Sequence, residues 1–255
     1  MQALGLEGRY QLIPIPPMPE GETALREQLD RLRRGELDGL NVTIPHKQAV
    51  IPWVDELTPV AKEVNAVNTL IRSKGRLVGD NTDVPGFLAD LRLCGVDGEA
   101  GAACLVLGAG GAARAVAYAL AHLGWQVTVA ARNTEAAQPF TRWQCRVVAL
   151  TREAIQPVLP GCRLIVNATP VGMHPYPEGS PWPVDLAFPQ GAFVYDLVYN
   201  PQNTRLVRQA GEAGLAANSG IGMLVEQGAL SFERWLGQVP SRQAMRQAIF
   251  RAQET

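Results

Sequence analysis

Charge is scarce and evenly split in this sequence. Charged residues make up 18% of 255, against roughly 25% in an average globular chain, which points to a surface that is neutral or occupied over much of its area. With 23 Lys+Arg against 24 Asp+Glu the net charge is −1, so there is no general pull on nucleic acid or acidic membranes and room only for a local basic pocket. The five tryptophans (Trp53, Trp125, Trp143, Trp182, Trp235) are scattered and build no platform for stacking bases. Cys94, Cys104, Cys145 and Cys162 form no CxxC pair and no metal-type cluster with the three histidines. They read as reduced thiols of a cytoplasmic protein, with no zinc or other metal site expected. The start lacks a basic segment followed by an apolar one, so no signal peptide is visible. The longest apolar stretch, from Ala115 to Ala131, is interrupted by His122, Gly124 and Gln126 and cannot span a membrane.

What is present suffices for a folded core. Hydrophobic residues reach 47%, which excludes general disorder, and the length suits one or two domains. The 25 glycines and 19 prolines predict many tight turns, without repeat or low-complexity block. In the first third, Tyr10–Pro16 reads as a short strand closed by prolines. Leu25, Leu29 and Leu32 fall at helical spacing ahead of a stop at Arg33, Arg34 and Gly35. Leu37 to Pro45 reads as a strand running into a proline turn, and Val67–Arg72 with Arg76–Asp80 as a hairpin. From Ala103 the pattern alternates: Cys104–Leu107, a glycine turn, a helix over Ala112–Leu123, then strands at Gln126–Ala130, Cys145–Leu150, Leu164–Ala168 and Ala192–Leu197. Continuous apolar strands separated by helical stretches predict an α/β fold with a parallel sheet buried on both faces. The tail from Gly222 is helical, with a second helix from Ser241, its N-cap, to Gln253.

The sharpest local signal is Leu105-Val-Leu-Gly108-Ala-Gly110-Gly111-Ala-Ala113-Arg, between a predicted strand and a predicted helix. In that context Gly108 permits a tight turn, Gly110 lets the backbone approach a pyrophosphate, and Ala113 is small where helix meets strand. The amides at the helix start then carry phosphate charge. The competing reading is a glycine turn that only packs. The next strand ends in Arg132-Asn133-Thr134, with no carboxylate before Glu135. A carboxylate there would accept from the ribose of NAD, whereas a guanidinium suits a 2′-phosphate, so NADP is favoured over NAD. A plain surface arginine is the other reading.

Three polar motifs precede this turn: Asn41-Val-Thr43-Ile-Pro-His-Lys47, Asn65-Ala-Val-Asn68-Thr69 and Gly79-Asp-Asn81-Thr82-Asp83-Val-Pro-Gly86. Carboxamides and hydroxyls gathered at strand ends suit a ligand rich in hydroxyl groups, and one Lys with one Asp can manage a proton. Singly, each also reads as turn chemistry, with Lys47 a solvated cation.

In this order, and followed by the glycine turn, the motifs resemble the shikimate dehydrogenase family over nearly the whole chain. The likeness extends to Asn167-Ala-Thr-Pro-Val-Gly-Met173, Tyr195-Asp-Leu-Val-Tyr199-Asn-Pro and Gly220-Ile-Gly-Met-Leu-Val-Glu-Gln227. It implies an NADP-dependent oxidoreductase interconverting shikimate and 3-dehydroshikimate in aromatic amino-acid (chorismate) biosynthesis. It implies Lys47 and Asp83 as the catalytic pair, with Asn41, Thr43, Asn68, Tyr199 and Gln227 as further substrate contacts. For the cofactor it implies Gly108, Ala109, Gly110, Gly111, Ala112 and Ala113 at the pyrophosphate, and Arg132, Asn133 and Thr134 at the adenosine phosphate. Thr169, Pro170 and Val171, with Leu197, Gly220 and Met223, would serve the nicotinamide end. The expected architecture is a substrate-binding, catalytic α/β domain (1–84 and 220–255) and a Rossmann-type NADP-binding domain (85–219), with a cleft between them. Its partners would be a small-molecule substrate, neither nucleic acid nor membrane, in a monomer or homodimer.

Two departures qualify the resemblance. The family's opening strand and Ser-x-Ser segment have no counterpart, the sequence from Met1 to Tyr10 matching the end of the helix that follows them. Glu135-Ala-Ala-Gln stands where the family often carries another Arg, which implies a weaker preference for NADP. A quinate or quinate/shikimate dehydrogenase, and a catalytically silent NADP-binding truncated paralogue, remain as alternatives. His46, His122 and His174 read as structural, and Arg31, Arg33 and Arg34 as a solvated helix end.

Overall fold

The computed structural model describes residues 4–96 and 100–253. The chain divides into two compact units, Met1–Asp83 with Val225–Thr255, and Val84–Leu224.

The first unit opens with an irregular segment. No strand forms at Tyr10–Pro16, contrary to the sequence reading. Pro14, Pro16 and Pro17 lack the N–H that a ladder needs, and the segment is held by side chains and one carbonyl instead. Ile15 packs on the core and its carbonyl meets His46 Nε2 at 3.1 Å. Helix α1 (Glu22–Arg34) follows, with Leu25, Leu29 and Leu32 buried along one face. Burial of each such side chain contributes about 1.5–3 kcal/mol. Gly35, at φ 77°, ends the helix by turning its N–H back onto the Arg31 and Leu32 carbonyls, while Arg31, Arg33 and Arg34 crowd the last turn. Then come β1 (Gly39–Asn41), α2 (His46–Ala49), β2 (Glu56–Leu57), α3 (Pro59–Val64), β3 (Thr69–Ser73) and β4 (Arg76–Asp80). The β3–β4 hairpin turns through Lys74 and Gly75, both left-handed, which matches the twist of the paired strands. The sheet order is β1-β3-β4-β2, with only the β2–β4 pair parallel.

Helix α4 (Asp83–Leu93) starts on the last residue of this unit. Motif residues expected in a turn, Asp83 to Gly86, are therefore its first turn. Pro85 causes no break there, because first-turn N–H groups have no intrahelical acceptor.

The second unit alternates as its sequence pattern predicts: β5 (Ala103–Leu107), α5 (Gly111–His122), β6 (Gln126–Ala131), α6 (Thr134–Ala137), β7 (Arg146–Ala149), α7 (Arg152–Ile155), β8 (Cys162–Asn167), β9 (Phe193–Asp196), α8 (Arg205–Glu212) and β10 (Ala217–Ser219). All six strands are parallel in the order β10-β9-β8-β5-β6-β7. This is the Rossmann order, in which the connections leaving neighbouring strands β5 and β8 depart to opposite sides and open a crevice at their carboxyl ends. Leu105, Leu107, Ile165 and Val194 are at most 1% exposed, as strands covered on both faces must be. The chain ends in α9 (Ile221–Leu236) and α10 (Arg242–Gln253), the latter capped by Ser241 Oγ, which accepts from the Ala244 N–H at 3.2 Å. No helix among the described residues is long and apolar enough to cross a membrane, and no group of three His, Cys, Asp or Glu there could hold a metal ion.

Candidate active site

In the first unit a polar network gathers at the ends of β1, β3 and β4. Lys47, in the first turn of α2, places Nζ 2.6 Å from Asp83 Oδ2. The Lys47 side chain is 17% exposed and that of Asp83 5%, so the pair is shielded without being sealed. The Lys47 carbonyl accepts from the Val67 N–H at 2.7 Å, which ties the short α2 to the strand β3 segment. Asn68 is the hub. Its Nδ2 lies 3.0 Å from Asp83 Oδ1, 2.9 Å from Thr82 Oγ1 and 3.2 Å from Gln227 Oε1, three acceptors for two protons. Its Oδ1 accepts from the Thr82 N–H at 2.7 Å. Both Asp83 oxygens are thus engaged, one by an ammonium and one by a carboxamide.

A second layer supports the first. Ser231 Oγ, fully buried on α9, sits 2.7 Å from Thr69 Oγ1, 3.1 Å from Thr82 Oγ1 and 3.0 Å from Asn41 Nδ2, and donates to the Gln227 carbonyl at 3.0 Å. Asn41 also donates to the Asn68 carbonyl at 3.2 Å and accepts from Tyr10 Oη at 3.0 Å. Asp80 anchors the strand end by accepting from Thr58 Oγ1, the Asn81 N–H and Arg234 Nε. Asn41, Lys47, Asn68, Asp83 and Gln227 are therefore brought together. Thr43 lies exposed just ahead of α2, with its carbonyl accepting from the His46 N–H, and Tyr199 belongs to the second unit, 41% exposed. Thr69, Thr82, Ser231 and Tyr10 were not singled out from sequence. The two threonines sit inside the polar motifs, while the only signal for Ser231 is its place four residues after Gln227, on the same helix face.

Chemically, an ammonium with three donors, of which Asp83 takes one, can donate to a ligand oxygen and oppose negative charge as it develops there. The surrounding carboxamides and hydroxyls can switch between donor and acceptor, which suits a polyhydroxylated ligand.

In the second unit the candidate site begins with backbone. Gly108, at φ 110°, turns the chain out of β5, and a Cβ there would lie 3.0 Å from Thr169 Cγ2 and 3.1 Å from the Ala168 carbonyl. The turn after β5 therefore lies close against the turn after β8. Gly110 caps α5 with no side-chain bond, leaving the first-turn amides uncapped, and a Cβ on Gly110 would meet nothing within 4 Å. Ala109, Gly111 and Ala112 are half-buried along this turn and Ala113 is fully buried against the sheet. An open surface lined by uncapped helix amides fits a pyrophosphate. Arg132 is exposed after β6, Asn133 caps α6 by accepting from the Ala136 N–H at 3.0 Å, and Thr134 opens that helix half-buried.

The Thr169–Val171 turn is set by Asn167, whose Oδ1 accepts from the Thr169 N–H at 2.9 Å and from Thr169 Oγ1 at 2.7 Å. Its Nδ2 donates to Asp196 Oδ1 at 2.8 Å. Asp196 also accepts from the Val198 N–H and from Thr204 Oγ1. Burial pushes its carboxyl above the ordinary range, against the pull of those three donors. Pro170 is exposed at the tip. Leu197 donates its N–H to the Asn167 carbonyl, and its own carbonyl would stand 2.2 Å from a Cβ on Gly220, so only glycine fits there. Met223 is buried three residues on. This Asn167–Asp196–Thr204 set also escaped the sequence reading, Asn167 lying 29 residues from Asp196.

His46 Nε2 meets the Ile15 carbonyl and His122 Nδ1 the Tyr118 carbonyl, both packing roles. All four cysteines are free thiols, and burial raises Cys145 and Cys162 to about 11.

A two-unit α/β protein with a Rossmann-ordered sheet and a Lys–Asp pair in a polar network is the class this geometry defines. The family model described as shikimate dehydrogenase substrate binding domain matches residues 1–70, and the one described as shikimate 5′-dehydrogenase C-terminal domain matches residues 220–250. Shikimate dehydrogenase (NADP(+)) of Carboxydothermus hydrogenoformans is 39% identical over 238 residues, covering 91% of this chain and 84% of that protein. The same enzyme of one Thermus thermophilus strain is 42% identical over 252 residues, covering 99% of this chain and 90% of that protein. The crystal structure of shikimate 5-dehydrogenase from a second strain of Thermus thermophilus, in complex with NADP(H) and shikimate, superimposes with a TM-score of 0.84 at 42% identity, covering 98% of this chain and 90% of that one. The chain belongs to the shikimate dehydrogenase family.

Proposed function

We propose that this chain catalyses the NADP-dependent interconversion of 3-dehydroshikimate and shikimate, a step towards chorismate and the aromatic amino acids. The observation that carries the reading is the Lys47–Asp83 contact of 2.6 Å inside a network of carboxamides and hydroxyls. The first unit then binds substrate and the second binds cofactor through the β5–α5 turn. NADPH, when bound, supplies the hydride that reduces the ring ketone. Lys47 Nζ gives a proton to the ketone oxygen as that oxygen becomes a hydroxyl, and its charge opposes the alkoxide character that develops. Asp83 holds the ammonium in place through one oxygen, as a third group orients a catalytic base elsewhere, and anchors the substrate. Asn41, Thr43, Asn68, Gln227 and Tyr199 contact the substrate hydroxyls. Gly108 to Ala113 hold the pyrophosphate, Arg132, Asn133 and Thr134 the adenosine phosphate, and Thr169 to Val171 with Leu197, Gly220 and Met223 the nicotinamide end. The likeness to an enzyme solved with NADP(H) and shikimate supports this division of labour. The enzyme works in the cytoplasm, where its four thiols stay reduced, as a monomer or homodimer.

The test is NADP⁺ reduction by the purified chain with shikimate and quinate in parallel and NAD⁺ as control. Turnover with shikimate and NADP⁺ is expected. Turnover with quinate alone would move the substrate assignment, and cofactor binding without turnover on either would make the chain a silent NADP-binding protein.

A further inference from the structure

Arg114 is a cation with no acceptor among the described residues. It is the fourth residue of α5, directly after the glycine turn, and is only 7% exposed. Its Nε is enclosed without a hydrogen-bond partner, and no carboxylate among the described residues pairs with it. Its neighbours are the ring of Phe140, with Cζ 5.5 Å from the centroid, and the like charge of Arg142, which itself lies 4.5 Å over Trp143. Burial, and then Arg142, draw its pKa below the ordinary value. A buried guanidinium without an anion is costly, and a leucine would cover Phe140 without that cost. The arrangement makes sense if an anion arrives from outside the chain.

The fold says which anion. Helical side chains lean towards the N-terminus, so Arg114 runs back along the first turn of α5, the turn with uncapped amides. Phe140 and Arg142 belong to the 3-10 turn Gln138–Trp143 that follows α6, and α6 follows Arg132 and its capping residue Asn133. Arg114 therefore lies on the flank of α5 that faces the β6–α6 connection. In a Rossmann sheet that flank receives the adenosine ribose, whereas the pyrophosphate lies over the helix start itself. We propose that Arg114 is a second guanidinium for the adenosine 2′-phosphate, acting with Arg132 and so setting the preference for NADP over NAD. This rests on the cofactor reading above. A phosphate monoester dianion accepts the paired N–H groups of two arginines, and the Phe140 face keeps the Arg114 fork in one plane.

The test is calorimetric titration of the full chain with 2′,5′-ADP and with 5′-AMP, which differ only in the 2′-phosphate. Wild type should prefer 2′,5′-ADP. Arg114→Gln should weaken 2′,5′-ADP about ten- to a hundredfold and 5′-AMP less than about twofold, and Arg114→Lys, which keeps the charge and loses the fork, should fall between. An unchanged preference in Arg114→Gln, or an equal loss for both nucleotides, overturns the proposal. In the wild type, independently of how any variant folds, the exchange-protected Arg114 Nε–H resonance should move on adding 2′,5′-ADP and stay in place with 5′-AMP; the reverse overturns it too. A wild type with no preference for 2′,5′-ADP defeats both this assignment and the NADP reading. A wild type that prefers 2′,5′-ADP yet leaves shikimate unoxidised defeats only the substrate assignment.

Discussion

The two units solve the same problem with different materials. The first offers side chains: an ammonium, carboxylates, carboxamides and hydroxyls, each fixed by another side chain, as Asn68 is by Thr82, Asp83 and Gln227. The second offers backbone where a pyrophosphate would lie, the uncapped amides of α5 beside the open surround of Gly110, and keeps guanidiniums for the proposed 2′-phosphate. On the proposed function, deleting side-chain atoms should damage the first unit's site, and adding them should damage the pyrophosphate turn of the second.

The largest effect belongs to Lys47. Lys47→Ala should lower kcat by roughly 10²–10⁴-fold while leaving the NADPH dissociation constant unchanged, read by steady-state kinetics beside a fluorescence titration. Near-normal turnover would remove Lys47 from the chemistry.

Next come the glycines, which separate conformation from space. Gly110 has an ordinary φ of −77° and an open surround, so Gly110→Ala should keep the thermal midpoint close to wild type yet weaken NADPH roughly tenfold. Gly108 lies at φ 110° with Thr169 and Ala168 about 3 Å from any Cβ. Gly108→Ala should therefore cost about 1–3 kcal/mol of stability as well as cofactor affinity. Equal behaviour of the two variants would break the distinction.

Ser231 should give a smaller change, felt as stability. Ser231→Ala leaves Thr69, Thr82 and Asn41 short of a buried partner, and chemical denaturation should show a loss of about 1–3 kcal/mol.

Asp55, remote from both sites, gives the mildest effect and the clearest pH signature. Its carboxyl is held below the ordinary range, first by the Leu77 N–H and then by Arg33. A lowered folded value means stability that is present above the unfolded carboxylate pKa of about 3.9 and lost as pH falls through the folded one. The denaturation midpoints of wild type and Asp55→Asn should thus differ at pH 7, begin to converge below about pH 4 and meet once pH passes the folded value.

Much of this was legible in sequence because it is local. The β5–turn–α5 signature depends on glycines a few residues apart, and α1 on leucines at helical spacing. The polar motifs were visible for the same reason, each a short run at a strand end. What stayed hidden is made by the fold. Ser231 meets Thr69 and Thr82 across about 150 residues of chain, and in sequence only its place four residues after Gln227 sets it apart from any helical serine. Asn167 meets Asp196 because β8 and β9 are neighbours in the sheet, and Thr204 joins them from the cap of α8. The Tyr10–Pro16 strand does not form because Pro14 and Pro16, with Pro17 just after them, have no N–H to give a ladder.

The division of labour is most directly tested by titrating Lys47→Ala and Gly110→Ala each with NADPH and with shikimate. Lys47→Ala should bind NADPH as wild type does while its handling of shikimate collapses, and Gly110→Ala should do the opposite. A variant that loses both ligands, or a Gly110→Ala that binds NADPH normally, would contradict an account in which side chains serve the substrate and bare backbone the pyrophosphate.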